Sequence, residues 1–156
     1  MIWNILYIID ALLFAIVAST VIYMTVYAVA SQFMKKQEIP KAKRLNRFII
    51  LIPSYKCDQT IENTVRAMLA QTYPQRLFDI VVISDHQSEM TNFRLAQNPI
   101  TLLTPNFKNS TKARALQYAI ANIPIFKIYD VVIILDADNI VLPEFLDDLN
   151  NAYEYA

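Results

Sequence analysis

Acidic side chains follow the two most apolar runs in the second half of this chain. Asp136 and Asp138 stand one residue apart at the end of the run at 131–135, and Asp85 follows the run at 79–83. Two carboxylates this close repel each other at the end of a buried strand unless a cation lies between them. The residues favour Mg²⁺ or Mn²⁺ shared with substrate phosphates, because too few other ligands are visible for a closed Ca²⁺ site. A solvated strand-to-loop turn is the alternative, since Asp and Asn favour turns.

The composition excludes several other kinds of site. The 156 residues include no Gly, one Cys and one His, and their formal net charge is zero. A Walker A loop and a dinucleotide-binding Rossmann turn need Gly where the backbone approaches phosphate, so neither is present in its usual form. Cys57 alone cannot form an internal disulfide or a multi-Cys zinc site, and His86 alone excludes a two-His zinc motif.

The elements that must position these residues can be read from the hydrophobic pattern after residue 46. Short apolar runs alternate there with amphipathic segments, which is typical of βαβ units and a parallel sheet. The predicted strands are 48–52 (ended by Pro53), 79–83, a weaker 100–103, and 131–135. The predicted helices are about 58–72, a helix capped by Ser110 or Thr111 that ends near Asn122, and one that begins at Pro143. Ligands bind beyond the carboxyl ends of parallel strands, so we expect the polar residues there to form the site.

The first 34 residues predict a transmembrane anchor. No charged residue occurs in 11–34, and the stretch is long enough to cross a hydrocarbon core of about 30 Å. Six basic residues in 35–47, opposed only by Glu38, predict that the rest of the chain is cytoplasmic and that the N-terminus lies outside the inner membrane. A cleaved signal peptide is the alternative, but it expects a basic N-terminal region and a shorter apolar core, and this sequence has neither.

Four short stretches match a known family in order and spacing. They are IPSY at 52–55, DIVVISD at 79–85, KARAL at 112–116 and LDADN at 135–139. Together they resemble the nucleotide-sugar half of the inverting glycosyltransferases of family 2, which have the GT-A fold. The resemblance implies an α/β fold: an N-terminal transmembrane helix followed by an incomplete, Rossmann-like and mostly parallel GT-A sheet. It divides the chain into an anchor (1–34), a basic juxtamembrane linker (35–46) and a truncated nucleotide-sugar-binding half-domain (47–156).

The resemblance implies a role for each carboxylate. Asp85 would accept a hydrogen bond from the base or ribose of a nucleotide diphosphate sugar, most often UDP. Asp136 would lie near the ribose and the metal, and Asp138 would bind the Mn²⁺ or Mg²⁺ ion that bridges the diphosphate. That ion would neutralise the charge that builds on the leaving diphosphate.

The same resemblance assigns the other site residues. Lys112, at the start of a helix, would face phosphate together with free backbone N–H groups. Tyr55 would stack on the uracil. The residues expected to line the base pocket are Pro53, Ser54 and Tyr55. His86 and Cys57 match no role in the family.

The chain departs from the family pattern at several positions. Ser84 precedes Asp85 where many relatives have a second Asp, while Thr111 and His86 stand where relatives often have Gly. The sequence stops about one helix after Asp138, so the acceptor half and its general base have no counterpart. We therefore expect no catalytic residue in this chain, and donor binding without sugar transfer by the chain alone.

The membrane anchor with a cytoplasmic domain is similar to the branch that makes polysaccharides or lipid-linked sugars. The expected partners are the sugar donor and the bilayer, without nucleic acid. An unpaired sheet edge also predicts self-association or pairing with a C-terminal half.

Two other function classes remain open. A non-catalytic, membrane-tethered binding or assembly module would keep the same half-domain and work through a partner. A phosphoacceptor receiver domain also uses acidic residues at strand ends, but it expects an acidic pair after the first strand. This chain has Pro53 and Ser54 there.

Overall fold

The described residues of the N-terminal unit form one long helix. A computed structural model describes residues 2–33, 39–123 and 128–156 and divides the chain into units 1–38 and 39–156. Helix α1 spans Ile2–Phe33, and by length and composition its residues Trp3–Phe33 suffice to cross a membrane. The hydroxyls of Thr20 and Thr25 donate to carbonyls one turn earlier, at 2.9 and 2.7 Å. These polar groups are therefore satisfied within the helix, as an apolar environment requires.

The second unit is a four-stranded parallel sheet with helices on both faces. Its strands are β1 (Phe48–Tyr55), β2 (Phe78–Asp85), β3 (Thr101–Leu103) and β4 (Val131–Ile134). Its helices are α2 (Ile61–Leu69), α3 (Glu89–Ala96), α4 (Lys112–Asn122) and α5 (Phe145–Tyr155). The strand order is β3-β2-β1-β4, and every pairing is parallel. The predicted α/β class is confirmed, and the order reverses at β1 and β4, where open α/β sheets bind ligands.

Both faces of β1 are buried. Its even-numbered residues 48–52 lie in a cluster with Met68 of α2 and Leu146 of α5. Its odd-numbered residues 49 and 51 lie in a second cluster with Ala115 and Ala119 of α4. A strand covered on both faces has no polar side to alternate with its apolar one, which is why β1 reads as a continuous apolar run.

The predicted end of the first strand at Pro53 is wrong, because β1 continues to Tyr55. The carbonyl of Leu51 accepts a hydrogen bond from the backbone N–H of Leu135 on the β4 side, at 3.0 Å. Pro53 has the same orientation as Leu51, so its backbone nitrogen also faces the β4 side. At that position the pairing of β1 with β4 has already ended. The missing N–H of proline therefore leaves no acceptor unpaired. The extra length pairs Tyr55 with Asp85 and holds both polar strand ends in the sheet.

Residues 39–46 of the predicted linker pack with the second unit. The side-chain oxygen of Asn150 in α5 accepts from the backbone N–H of Asn46 at 3.0 Å, and its amide donates to the carbonyl of Arg44 at 2.9 Å. The backbone N–H of Ala42 donates to the side chain of Asn151 at 2.8 Å. This part of the segment is therefore fixed to α5. Three charged residues of the predicted linker, Lys35, Lys36 and Glu38, lie outside the described residues.

Candidate functional site

A pocket of about 210 Å³, here called the β1–β2 pocket, opens beyond the carboxyl ends of β1 and β2. Its lining residues are Pro53, Ser54, Tyr55, Asp85, Ser110, Thr111, Lys112 and Ala115. Five of them are predicted site residues, so the fold brings most of the predicted donor-binding side chains together. The volume is below the roughly 300–1,000 Å³ of complete small-molecule sites, so the pocket is large enough for only part of a drug-sized ligand.

Asp85 is the buried carboxylate of this pocket, with 3% of its surface exposed. Its Oδ1 accepts a hydrogen bond from Nδ1 of His86 at 2.6 Å. Since a carboxylate oxygen is an acceptor, the imidazole proton lies on Nδ1. Burying a carboxylate is unfavourable unless it is hydrogen bonded, and His86 offsets part of that penalty. Within the described ranges no protein group donates to the second oxygen, Oδ2.

The turns that come after β1 and β2 are both left-handed. Lys56 has φ 50° and His86 has φ 57°. A left-handed residue other than Gly costs about 1–2 kcal/mol. The two turns lie side by side, and the backbone N–H of Lys56 donates to the carbonyl of Asp85 at 3.3 Å. The His86 ring packs edge-on against the Tyr55 ring with centroids 5.7 Å apart, so local contacts hold the strained turns.

The loop before α4 needs no Gly, although relatives often have one there. Thr111 has φ −142°, which is extended backbone, and its hydroxyl caps α4 by accepting from the backbone N–H of Arg114 at 3.2 Å. The prediction that Ser110 or Thr111 caps this helix is thus confirmed for Thr111. Of the two positions where the family often has Gly, only His86 adopts the conformation that favours Gly.

Lys112 and Asp136 form an ion pair at the start of α4. The Lys112 ammonium donates to Oδ1 of Asp136, and the two side chains are 53% and 56% exposed. The pair joins the β1–β2 pocket to the turn after β4, residues 136–138, which is here called the acidic turn. Because both groups are open to solvent, either can exchange its partner for a ligand.

Asp138 borders a different cavity of about 500 Å³. The remainder of its lining is the turn after β1, residues 56–60. The hydroxyl of Thr64 in α2 donates to the carbonyl of Ala137 at 2.9 Å, which anchors the acidic turn. The Asp138 carboxylate is exposed and makes no hydrogen bond or ion pair within the described ranges. The three carboxylates therefore follow β2 and β4, the two strands that flank β1, at the carboxyl ends of the sheet, but Asp138 is not part of the β1–β2 pocket.

The donor set at the acidic turn fits a hard cation held partly by substrate. Among the described residues, no three His, Cys, Asp or Glu side chains group closely enough to hold a metal by themselves. Asp138 offers an unengaged carboxylate, and Asp136 offers a second one that is shared with Lys112. Mg²⁺ and Mn²⁺ suit such sites, because one or two carboxylates are completed by water and phosphate oxygens.

The turn that lines this second cavity is held by Asp58. Its carboxylate accepts from the backbone N–H and the hydroxyl of Ser88, at 2.9 and 2.8 Å. Hydrogen bonding from Thr91 and from Ser88 lowers the pKa of Asp58 below its usual value. Ser88 also caps α3, so the turns after β1 and β2 are tied together on this side as well.

Three features of this part of the site are absent from the sequence-based predictions. They are the bond from His86 to Asp85, the bond from the Gln87 amide to the Ser54 hydroxyl, and the presence of Lys56 in the lining of the same cavity as Asp138. Each depends on the register of β1 against β2 or on a left-handed turn. The lone His next to Asp85 is the one signal in the sequence that points to any of them.

Comparison with known proteins agrees with this arrangement. The profile of glycosyltransferase-like family 2 matches residues 46–154. Among solved structures, the chain is similar to the mannosyltransferase PcManGT from Pyrobaculum calidifontis in complex with GDP-Man and Mn²⁺. The identity is 21% and the TM-score 0.59, over 85% of this chain and 39% of that one. No curated protein matches.

TarS from S. aureus is a second structural relative. Its 1–349 fragment has 19% identity and a TM-score of 0.54, over 66% of this chain and 31% of that one. The same fragment in complex with UDP-GlcNAc has 22% identity and a TM-score of 0.50, over 66% of this chain and 30% of that one.

These identities show a shared fold, and the chain spans 30% to 39% of the length of the three solved chains. The GT-A fold expected from the sequence motifs is confirmed. Because the family profile covers all four strands, the β1–β2 pocket and the acidic turn, this chain belongs to glycosyltransferase-like family 2.

Proposed function

We propose that this chain is the donor-binding part of a membrane-bound inverting glycosyltransferase. It takes a nucleotide diphosphate sugar, with uridine as the nucleoside and Mn²⁺ or Mg²⁺ as the cofactor, for synthesis of a polysaccharide or glycolipid. The observation that supports this most is that a buried carboxylate, a lysine ammonium and two exposed carboxylates all lie at the carboxyl ends of the strands. These groups are Asp85, Lys112, Asp136 and Asp138.

The base of the donor enters the β1–β2 pocket. The free Oδ2 of Asp85 accepts a hydrogen bond from the base or ribose, and Tyr55, a residue that is 49% exposed, offers a ring on which the base stacks. Pro53 and Ser54 complete the wall beside them. A pocket of about 210 Å³ leaves the diphosphate outside it, towards α4 and the acidic turn.

The diphosphate is held by Lys112 and the start of α4. Lys112 exchanges its bond to Asp136 for a phosphate oxygen, and the free N–H groups of the first helical turn favour the same negative charge. Asp138, with Asp136, holds the divalent cation, which when bound neutralises the charge developing on the leaving diphosphate. Inverting transfer also needs a base that deprotonates the acceptor hydroxyl, and we assign that base to a separate acceptor-binding half.

Two relatives support the class of donor. The PcManGT structure contains GDP-Man and Mn²⁺, and one TarS structure contains UDP-GlcNAc. The anchor and its orientation are supported by the apolar residues Trp3–Phe33 and by the six basic residues in 35–47.

Titration calorimetry on the detergent-solubilised full chain tests this function. UDP is titrated with and without Mn²⁺ into the wild type, Asp138→Ala and the control Asp148→Ala, whose exposed carboxylate lies on α5. We expect Mn²⁺-dependent binding that weakens at least about tenfold, or about 1.4 kcal/mol, in Asp138→Ala and is unchanged in Asp148→Ala. Equal binding by the wild type and Asp138→Ala, or binding without metal, would contradict the metal assignment. Absence of nucleotide binding by the wild type contradicts the proposed function itself.

A further inference from the structure

Among the described residues, His86 is the side chain that bonds to the acceptor carboxylate of the β1–β2 pocket without an assigned role. Its Nδ1 holds Oδ1 of Asp85 at 2.6 Å. The ring is fixed on its other side by edge-on packing against Tyr55, at 5.7 Å. Its left-handed backbone, φ 57°, further restricts the side chain to this turn. The imidazole therefore already forms a hydrogen bond with one of the two oxygens of the Asp85 carboxylate.

We propose that His86 makes this site selective for uracil over guanine by occupying Oδ1 of Asp85. The inference rests on the proposed function, because it concerns the base of the same nucleotide. It assigns His86 as a specificity-determining residue, whereas the proposed function names uridine as the nucleoside without saying which group disfavours guanine.

The selectivity arises from the donors that each base presents. Guanine has two adjacent donors, the N1–H and the 2-amino group, which match both oxygens of one carboxylate. Uracil has a single donor, N3–H, between two carbonyl oxygens. A carboxylate with both oxygens free suits guanine, and one with a single free oxygen suits uracil.

Because Asp85 is buried, this difference in donors should produce a difference in affinity between uracil and guanine nucleotides. Asp85 is 3% exposed, so solvent cannot readily replace a missing partner at the carboxylate. Guanine would have to compete with His86 for Oδ1 or leave a donor unpaired inside the pocket. Leaving one buried donor unsatisfied corresponds to about a 5- to 150-fold loss of affinity.

The test compares dissociation constants for UDP and GDP at saturating Mn²⁺, measured by calorimetry on the full chain. The measured quantity is the ratio of the GDP constant to the UDP constant, which uniform effects on nucleotide binding leave unchanged. We expect a ratio of at least about ten in the wild type, in the range of one buried unpaired donor. In His86→Gly the ratio should fall at least about fivefold, because both oxygens of Asp85 become available.

Two further variants separate the hydrogen bond from other effects of the turn. His86→Asn tolerates a left-handed backbone and places an amide nitrogen where Nδ1 lies, so it should keep the wild-type ratio. Lys56→Gly relieves the neighbouring left-handed turn, φ 50°, without removing a group bonded to the Asp85 carboxylate. It also removes the ammonium that lies 5.2 Å from the Tyr55 ring centroid, so both dissociation constants should change together and the ratio should be kept.

The outcomes distinguish this inference from the proposed function. An unchanged ratio in His86→Gly, a wild-type preference for GDP, or an His86→Asn chain that behaves like His86→Gly overturns the role of His86. The first and third of these results leave metal-dependent UDP binding in place, so the proposed function stands. A wild-type preference for GDP overturns, in addition, the assignment of uridine as the nucleoside. Binding of neither nucleotide by the wild type overturns both.

Discussion

Replacing Lys112 with Met should separate ligand binding from folding stability. The ammonium of Lys112 bonds to Asp136, and the two side chains are 53% and 56% exposed. Exposed ion pairs contribute about 0.2–1 kcal/mol, so the free energy of unfolding should change by less than about 1 kcal/mol. A hydrogen bond from the same ammonium to phosphate is charge-assisted and contributes about 1.5–3 kcal/mol. UDP should therefore bind about 10- to 150-fold more weakly.

Calorimetry with UDP and with uridine, at constant Mn²⁺, measures this effect. Uridine has no phosphate, so Lys112→Met should leave its affinity unchanged. Lys108→Met, an exposed lysine in the loop before α4, is the matched control and should affect neither ligand. A Lys112→Met chain that binds UDP and uridine with equal losses would refute the phosphate contact. A loss of several kcal/mol in denaturant unfolding would refute the exchangeable ion pair, because the pair would then be structural.

Two further predictions concern alkaline stability and topology. Burial, together with the hydrogen bond to Asp79, raises the pKa of Tyr129 to about 12. The stability that this protonated hydroxyl contributes is complete below about pH 10, the usual tyrosine pKa, and is lost as the pH rises through about 12. Tyr129→Phe should therefore flatten the fall in denaturation midpoint over this range, while an unchanged fall would show that another group is responsible; the exposed Tyr153→Phe is the control. A reporter fused after Ala156 should be active in the cytoplasm, and activity on the outer side would reverse the proposed orientation.

The sequence predicts the sheet well because buried parallel strands are continuous apolar runs bounded by polar residues. All four strands overlap the predicted runs, and the carboxylates at their ends lie at one edge as expected. The cap of α4 is also predictable, since it depends on a local hydroxyl and a nearby backbone N–H. The error at Pro53 has a non-local cause. Proline ends a strand only where its missing N–H is needed, and a linear pattern does not show where β4 stops.

The least predictable features of the site are those that depend on pairing between strands. The bond from His86 to Asp85 requires a left-handed turn immediately after β2, and a His at that position indicates such a turn much less clearly than a Gly does. The position of Asp138 depends on the turn after β1, 80 residues earlier in the chain at Asp58. Packing of Asn46 against Asn150 likewise joins distant residues and gives no hydrophobic signal, since both are polar.

The metal and base assignments are tested together by locating manganese and nucleotide in crystals of the full chain grown with UDP and Mn²⁺. The anomalous scattering of manganese locates the metal ion directly. We expect a manganese peak in contact with the Asp138 carboxylate and the diphosphate, with the uracil in the β1–β2 pocket against Asp85. Manganese bound away from Asp138, or a nucleotide outside the β1–β2 pocket, would contradict the proposed donor site.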